Sequence, residues 1–244
     1  MSAQIVFVHG IRTSATMWRS QREYLDERGM SYTAVDLPGH GTRIDEDYSL
    51  QEALHTIDVA VRAAAEKGPV LLVGHSLGGL LCLAYAGSGE AAPLAGLVAA
   101  SCTALPAGAG LAAYRLITRM TYMLPDQGMW ISRRMLAATI PPETRLDFGA
   151  GGYALDVQDE VLKSLSALDL ASAVARIDAP LWFVNGQYDQ LRRNERLFCR
   201  LAPHAELIMV PRTTHLVTAM RPQIFNAVLQ LAVATLESDV AARS

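Results

Sequence analysis

The chain of 244 residues is short of charge and of cysteine. Asp, Glu, Lys and Arg make up 18% of it and the formal net charge is −3, so no basic excess recommends nucleic acid or an anionic membrane as partner. Its three cysteines, Cys82, Cys102 and Cys199, form an odd set without metal-like or redox-like spacing. They read as small buried hydrophobes in a reducing compartment, and no clustering of Cys, His, Asp and Glu predicts a metal or another cofactor. Although 51% of the residues are hydrophobic, no uninterrupted apolar stretch reaches the ~18 residues that span a bilayer. The opening Met1-Ser2-Ala3-Gln4 leads straight into an apolar run, without the basic start and apolar middle of a secretory leader. Neither an internal repeat nor a low-complexity tract is present. Together these absences predict a cytoplasmic globular protein with ample length for a core.

What is present is an alternation of short apolar runs with helical patterns. Ile5–Val8, Tyr32–Val35, Val70–Val73, Leu94–Ala100, Leu181–Val184 and Glu206–Val210 read as strands. Met17–Arg28, Leu50–Lys67, Glu195–Leu201 and Pro222–Leu236 read as helices, the second capped by Ser49 with Glu52 at its third position. Repeated β-α units joined by short loops predict an α/β fold: a doubly wound, mostly parallel sheet of about six strands with helices on both faces. The pattern is interrupted from Cys102 to Ile177, too long for a plain loop. Leu111–Met123, Trp130–Ala138 and Asp156–Leu170 look helical there. The expected division is therefore a core domain of residues 1–101 and 178–244 carrying an inserted helical cap, 102–177. Gly108-Ala109-Gly110 and Gly149-Ala150-Gly151-Gly152 follow no strand and read as flexible joints of the cap, not as a dinucleotide loop.

Four of the nine methionines, Met120, Met123, Met129 and Met135, lie in this insertion beside Tyr114, Tyr122, Trp130, Phe148 and Tyr153. Such a composition suits an adaptable apolar pocket. It suits equally a core belonging to the cap itself.

The chemistry points to Gly74-His75-Ser76-Leu77-Gly78-Gly79, between the Val70 strand and the helical Leu80–Ala86. Strand, sharp turn and helix put a serine at the apex of a nucleophile elbow, where a strained backbone thrusts the hydroxyl outward. Side chains at Gly74 or Gly78 would collide with the neighbouring strand and helix. The bland alternative is a glycine-rich turn that only lets strand and helix pack closely. A nucleophilic serine needs a positioned base, itself oriented by a carboxylate. The Leu181 strand runs into Asn185-Gly186-Gln187-Tyr188-Asp189, and the Glu206 strand into Pro211-Arg212-Thr213-Thr214-His215. Ser76, Asp189 and His215 thus follow in order from the C-terminal ends of strands.

Those residues, with His9-Gly10 after the first strand and Asp36-Leu37-Pro38-Gly39-His40-Gly41 after the second, give a chain that resembles the α/β-hydrolase superfamily over almost its whole length. It looks like a compact single-domain member with an inserted cap, esterase- or lactonase-like. The resemblance implies Ser76 as nucleophile, His215 as base and then acid, and Asp189 as its orienting carboxylate. It also implies an oxyanion hole from the backbone N–H groups of Ile11 and Leu77. The alternative position for the acid, after the strand before the cap, reads Ser101-Cys102-Thr103, with no carboxylate. Arg192 and Arg193 neighbour Asp189 and are expected to be solvated.

Arg12, next to Ile11, reads either as an exposed loop arginine or as a clamp for a substrate acid group. Cap arginines Arg115, Arg119, Arg133, Arg134 and Arg145 carry the same ambiguity. The expected substrate contacts are Arg12, Cys102, Met120, Met123 and Trp130. His9, His75, His40 and Asp36 are expected to fix loops, and His55 and His204 to lie at the surface.

The function expected is hydrolysis of a small or medium carboxylic ester, lactone or thioester, with a small molecule bearing an apolar portion as partner. Hydrolysis of a carbon–carbon bond in a ketone-containing acid is the enzymatic alternative. A ligand-binding, receptor-like protein with little turnover is the alternative from another class.

Overall fold

The computed structural model describes residues 2–90 and 93–243. Six strands form one parallel sheet: β1 (Gln4–Val8), β2 (Ser31–Val35), β3 (Val70–His75), β4 (Gly96–Ala100), β5 (Leu181–Gly186) and β6 (Glu206–Val210). Their spatial order is β2-β1-β3-β4-β5-β6. β1, β3, β4 and β5 are buried along their whole length, which is why they read as unbroken apolar runs. β2 and β6 are the edges and are partly exposed.

The helices are α1 (Arg19–Asp26), α2 (Leu50–Ala65), α3 (Leu77–Ala86), α4 (Gly108–Tyr122), α5 (Met129–Thr139) and α6 (Pro142–Arg145). They continue with α7 (Gln158–Ser164), α8 (Leu170–Ala175), α9 (Glu195–Leu201), α10 (Val217–Met220) and α11 (Pro222–Arg243). Alternate residues of each strand feed opposite cores. Val6, Val8, Leu72, Leu97 and Phe183 pack with α2, α3, α8 and α9. Phe7, Leu71, Val73, Val98 and Trp182 pack under α1 and α11, where Trp18 stacks on Phe7 with ring centroids 4.7 Å apart. Each such large side chain contributes about 1.5–3 kcal/mol by leaving water. No helix among the described residues is long and apolar enough to cross a membrane.

Several local expectations change. The first helix opens as a 3-10 turn, Ala15–Trp18, because the Ser14 hydroxyl accepts the Thr16 N–H and tightens the entry. The Ser49 hydroxyl does cap α2, accepting from the Glu52 N–H at 3.1 Å. β4 starts at Gly96, later than expected. The helix expected over Asp156–Leu170 is broken: α7 passes through a 3-10 turn, Leu168 is extended, and the Asp169 carboxylate caps a new helix, α8, by accepting from the Ser172 N–H. Gly108 and Gly110 stand in the first turn of α4 and are not part of a loop.

Between β4 and β5 the described residues are helical and contain no strand. They do not pack as one unit. Val161, Leu162, Leu165, Leu170, Val174 and Ile177 are buried in the core under α2 and α3, and a Cβ on Gly87 would run into the Ala173 carbonyl. α4 and α5 bury little of their own, Thr118 and Met129 being their only buried residues. The bidentate Arg19–Asp147 contact, 2.7 and 3.1 Å, ties the end of this helical stretch to α1.

Candidate active site

The strand order reverses between β1 and β3, since β1 leads to β2 on one side while β3 lies on the other. Their C-terminal ends therefore open a crevice at the switch point, where ligands of such sheets bind. Val8 pairs with Gly74, so the loop after β1 and the turn after β3 flank it together. Ser76 sits in that turn with φ 53° and ψ −114°, a left-handed conformation for a residue with a Cβ. Its N–H donates to the Ala100 carbonyl at 2.8 Å, which pins the turn to β4. Glycine is required on either side. A Cβ on Gly74 would strike the Gly78 backbone, and one on Gly78 would strike the Val8 carbonyl.

His215, from the loop after β6, places Nε2 2.9 Å from the Ser76 Oγ. Its Nδ1 faces Asp189, on the loop after β5, at 3.1 and 3.2 Å from the two carboxylate oxygens. A carboxylate only accepts, so Nδ1 carries the proton and Nε2 presents its lone pair to the serine hydroxyl. Burial alone would raise the Asp189 pKa. The hydrogen bond from His215, its charge and the Leu191 N–H outweigh it and hold the carboxyl below the ordinary range. Arg192 is half-buried and paired with Glu195 at 2.6 Å, not solvated as expected, while Arg193 is exposed.

The surrounding histidines are structural. His9 donates from Nδ1 to the Gly10 carbonyl and accepts the Leu37 N–H on Nε2, tying the first loop to the second. Burial, then the nearby His40, push its pKa down to about 3. His40 bonds the Pro38 carbonyl through Nδ1. Asp36 accepts from the Ala15 and Thr42 N–H groups and the Thr42 hydroxyl. His55 and His204 are exposed. A contact with no signal in the sequence is that of His75, whose Nε2–H donates to the His215 carbonyl at 2.9 Å. Its pKa is likewise pushed down to about 3, first by burial and next by His215.

The N–H groups of Ile11 and Leu77 stand at the two turns beside Ser76 and find no protein acceptor among the described residues. Arg12 is half-buried, not an exposed loop residue, and reaches Ser132 and Met129 of α5. The other expected contacts do not gather here. Met120, Met123 and Trp130 are 61%, 84% and 55% exposed, because α4 and α5 turn these side chains to solvent. Cys102 is buried against α3, where a Cβ on Gly79 would meet its sulfur, and burial raises its thiol pKa. Of the arginines between β4 and β5, Arg115 pairs with Asp159 and Arg133 with Asp126, and Arg145 bonds the carbonyls of Ala137 and Ile140.

A model of the alpha/beta hydrolase family matches residues 5–228. The chain belongs to that family. Among curated proteins, this alpha/beta hydrolase chain is similar to a probable esterase, PIR7A, of Oryza sativa subsp. indica, 42% identical over 78 residues, covering 31% of this chain and 30% of that one. It is also similar to an (E)-2-((N-methylformamido)methylene)succinate hydrolase of Acinetobacter baylyi, 34% identical over 86 residues, covering 32% and 29%. The matched stretch thus spans about a third of the length of these relatives. Among solved structures, an E-2-(acetamidomethylene)succinate hydrolase superposes with a TM-score of 0.75 at 20% identity, covering 96% of this chain and 91% of that one.

Proposed function

We propose that this alpha/beta hydrolase is a serine hydrolase that cleaves a small or medium carboxylic ester, lactone or thioester through an acyl-enzyme on Ser76. The observation that carries this reading is the line Ser76 Oγ–His215 Nε2, 2.9 Å, backed by Asp189 on Nδ1. The Ser76 oxygen adds to the substrate carbonyl carbon while its proton passes to His215 Nε2. The negative carbonyl oxygen is held by the N–H groups of Ile11 and Leu77, each such donor being worth about 10²–10³ in rate. Collapse breaks the bond to the leaving group, which takes the proton from Nε2. Water repeats the cycle on the acyl-enzyme, frees the acid and restores the serine. The helices α4 to α6 serve in this reading as the cover over the crevice.

The similarity to a protein named an esterase supports the ester class. Carbon–carbon cleavage beside a ketone would use the same three side chains, and the half-buried Arg12 favours it where the substrate is an acid.

A fluorophosphonate adds its mass to an activated serine, and Ser76→Ala should abolish that addition. Absence of labelling in the wild type would overturn the enzyme reading and favour a ligand-binding protein. A panel of nitrophenyl esters of increasing chain length, run beside a vinylogous diketone, separates ester from carbon–carbon hydrolysis.

A further inference from the structure

Arg12 differs from the arginines that form ion pairs around the helical stretch. Arg19, Arg115, Arg133 and Arg192 each take a carboxylate of this chain at 3.0 Å or less. Among the described residues Arg12 takes none, although it is more enclosed than Arg133. Among the described residues its side-chain partners are the Ser132 hydroxyl at 3.4 Å and the Met129 sulfur at 3.7 Å, both long and both neutral. A half-buried guanidinium without a counter-charge is costly, and its planar fork is shaped to give two parallel N–H bonds to a carboxylate. Burial lowers its pKa, offset only by Tyr114 and Tyr153.

Its backbone is unusual as well. Arg12 has φ 66°, a left-handed conformation that disfavours a residue with a Cβ and that clusters at ligand sites. The same loop runs against the serine: a Cβ on Gly10 would lie 3.5 Å from that of Ser76. Ile11, the intervening residue, is the one whose N–H faces the developing oxyanion in the proposed mechanism. The acyl group stays on Ser76 through both half-reactions with its carbonyl oxygen at that N–H, so the acyl chain is the part of the substrate that remains beside this loop throughout.

We propose that Arg12, with Ser132, forms a subsite for a carboxylate carried on the acyl portion of the substrate, which makes the preferred substrate a half-ester of a short dicarboxylic acid or the corresponding acid of a ketone. This rests on the hydrolase reading of Ser76 and adds to it a substrate class.

The test compares the mono-nitrophenyl esters of glutaric and adipic acids with the same esters capped as methyl esters at the far acid. The wild type should favour the free acid over the capped partner in kcat/KM by about tenfold or more for at least one length. Arg12→Gln should collapse that ratio, chiefly through KM, and Arg12→Lys should restore part of it. A wild-type ratio at or below one, or a ratio unchanged in Arg12→Gln, overturns the subsite while leaving the hydrolase reading intact.

Failure of that reading looks different: no ester is turned over and Ser76 takes no fluorophosphonate. Binding then decides the subsite alone. Adipate, but not adipamide, should raise the melting temperature of Ser76→Ala protein, and equal or absent protection overturns it. Where Arg12→Gln does not fold, the wild-type ratio and the adipate–adipamide contrast carry the decision.

Discussion

The ring of His75 donates from Nε2 to the main-chain oxygen of His215, 2.9 Å away, with the two ring centroids 5.2 Å apart. The residue before the serine therefore holds the backbone of the residue that faces the serine. The end of β3 and the loop after β6, separated by more than half the chain, are registered by one hydrogen bond. His75→Phe keeps a ring but removes the donor and leaves the His215 carbonyl short of a partner. Its expected effect is a fall in kcat of about tenfold, with KM little changed. A steady-state comparison on a nitrophenyl ester measures both, and a change confined to KM would count against this positioning role.

Acid should destabilise the protein through the same ring and through His9. Both are held neutral in the folded state down to about pH 3, whereas in the unfolded chain they protonate near 6.5. Unfolding in between takes up protons. Their contribution is full above about 6.5 and is lost as pH falls towards 3, at up to about 1.4 kcal/mol per pH unit for each ring. Asp36 and Asp189, held below their ordinary range, add losses in the same direction at lower pH. Urea unfolding at pH 7, 6, 5 and 4 should show a steadily falling midpoint, and a flat profile would contradict the buried neutral state of these rings.

Asp189→Asn should preserve the fold and remove most of the activity. The amide that replaces the carboxylate donates to Nδ1 and so moves the imidazole proton to Nε2, where it meets the Ser76 oxygen as a donor and no longer as a base. A loss of about 10⁴ in kcat is expected of such a tautomer change. Unchanged circular dichroism and melting would tie the loss to proton bookkeeping alone.

The elements that carry these predictions differ in how readily they are read from sequence. The central strands are buried on both faces, so their residues form short continuous apolar runs bounded by turn residues. The turn at Ser76 needs Gly74 and Gly78 because two backbones pass within contact distance, and such glycines are visible as a motif. Asp189 and His215 follow from strand ends in chain order, and the three side chains meet. The helical stretch was harder. Met120 in α4, Met123 just past its end and Trp130 in α5 are apolar positions of helical segments, and composition does not say what such positions face. The break at Leu168 and the packing of α8 on α3 depend on where α8 lands, and the enclosure of Arg12 depends on where α5 lands. The His75 bond to a backbone oxygen has no pattern at all, since any residue offers that acceptor.

Gly78→Ala should test the close packing at the elbow. Its new methyl group would press on the Val8 carbonyl, which is backbone and cannot rotate away. A cost of about 1–3 kcal/mol is expected from such overpacking, or about 2–4 °C of melting temperature per kcal/mol in a chain of this size. Activity should fall further than stability does, because the strand end that must yield is the one carrying the loop with Ile11.

The contact of Arg19 with Asp147 gives a way to loosen the helical stretch between β4 and β5 without touching the serine. Asp147 is buried, and accepts on both carboxylate oxygens from a guanidinium that also bonds the Glu143 carbonyl. Arg19 is 40% exposed, so solvent screens the pair and the stability at stake is about 1 kcal/mol or less. Local order is affected more than global stability, since this contact fastens α6 and the turn behind it to α1. Asp147→Ala should therefore leave the melting temperature within a few degrees while limited proteolysis cuts between residues 104 and 157 several-fold faster. Equal cleavage rates in wild type and variant would show that this stretch is held by its other contacts, Ile140 and Phe148 in the core and the Thr16 and Thr144 hydroxyls on the Asp147 and Ala219 carbonyls, and not by the ion pair.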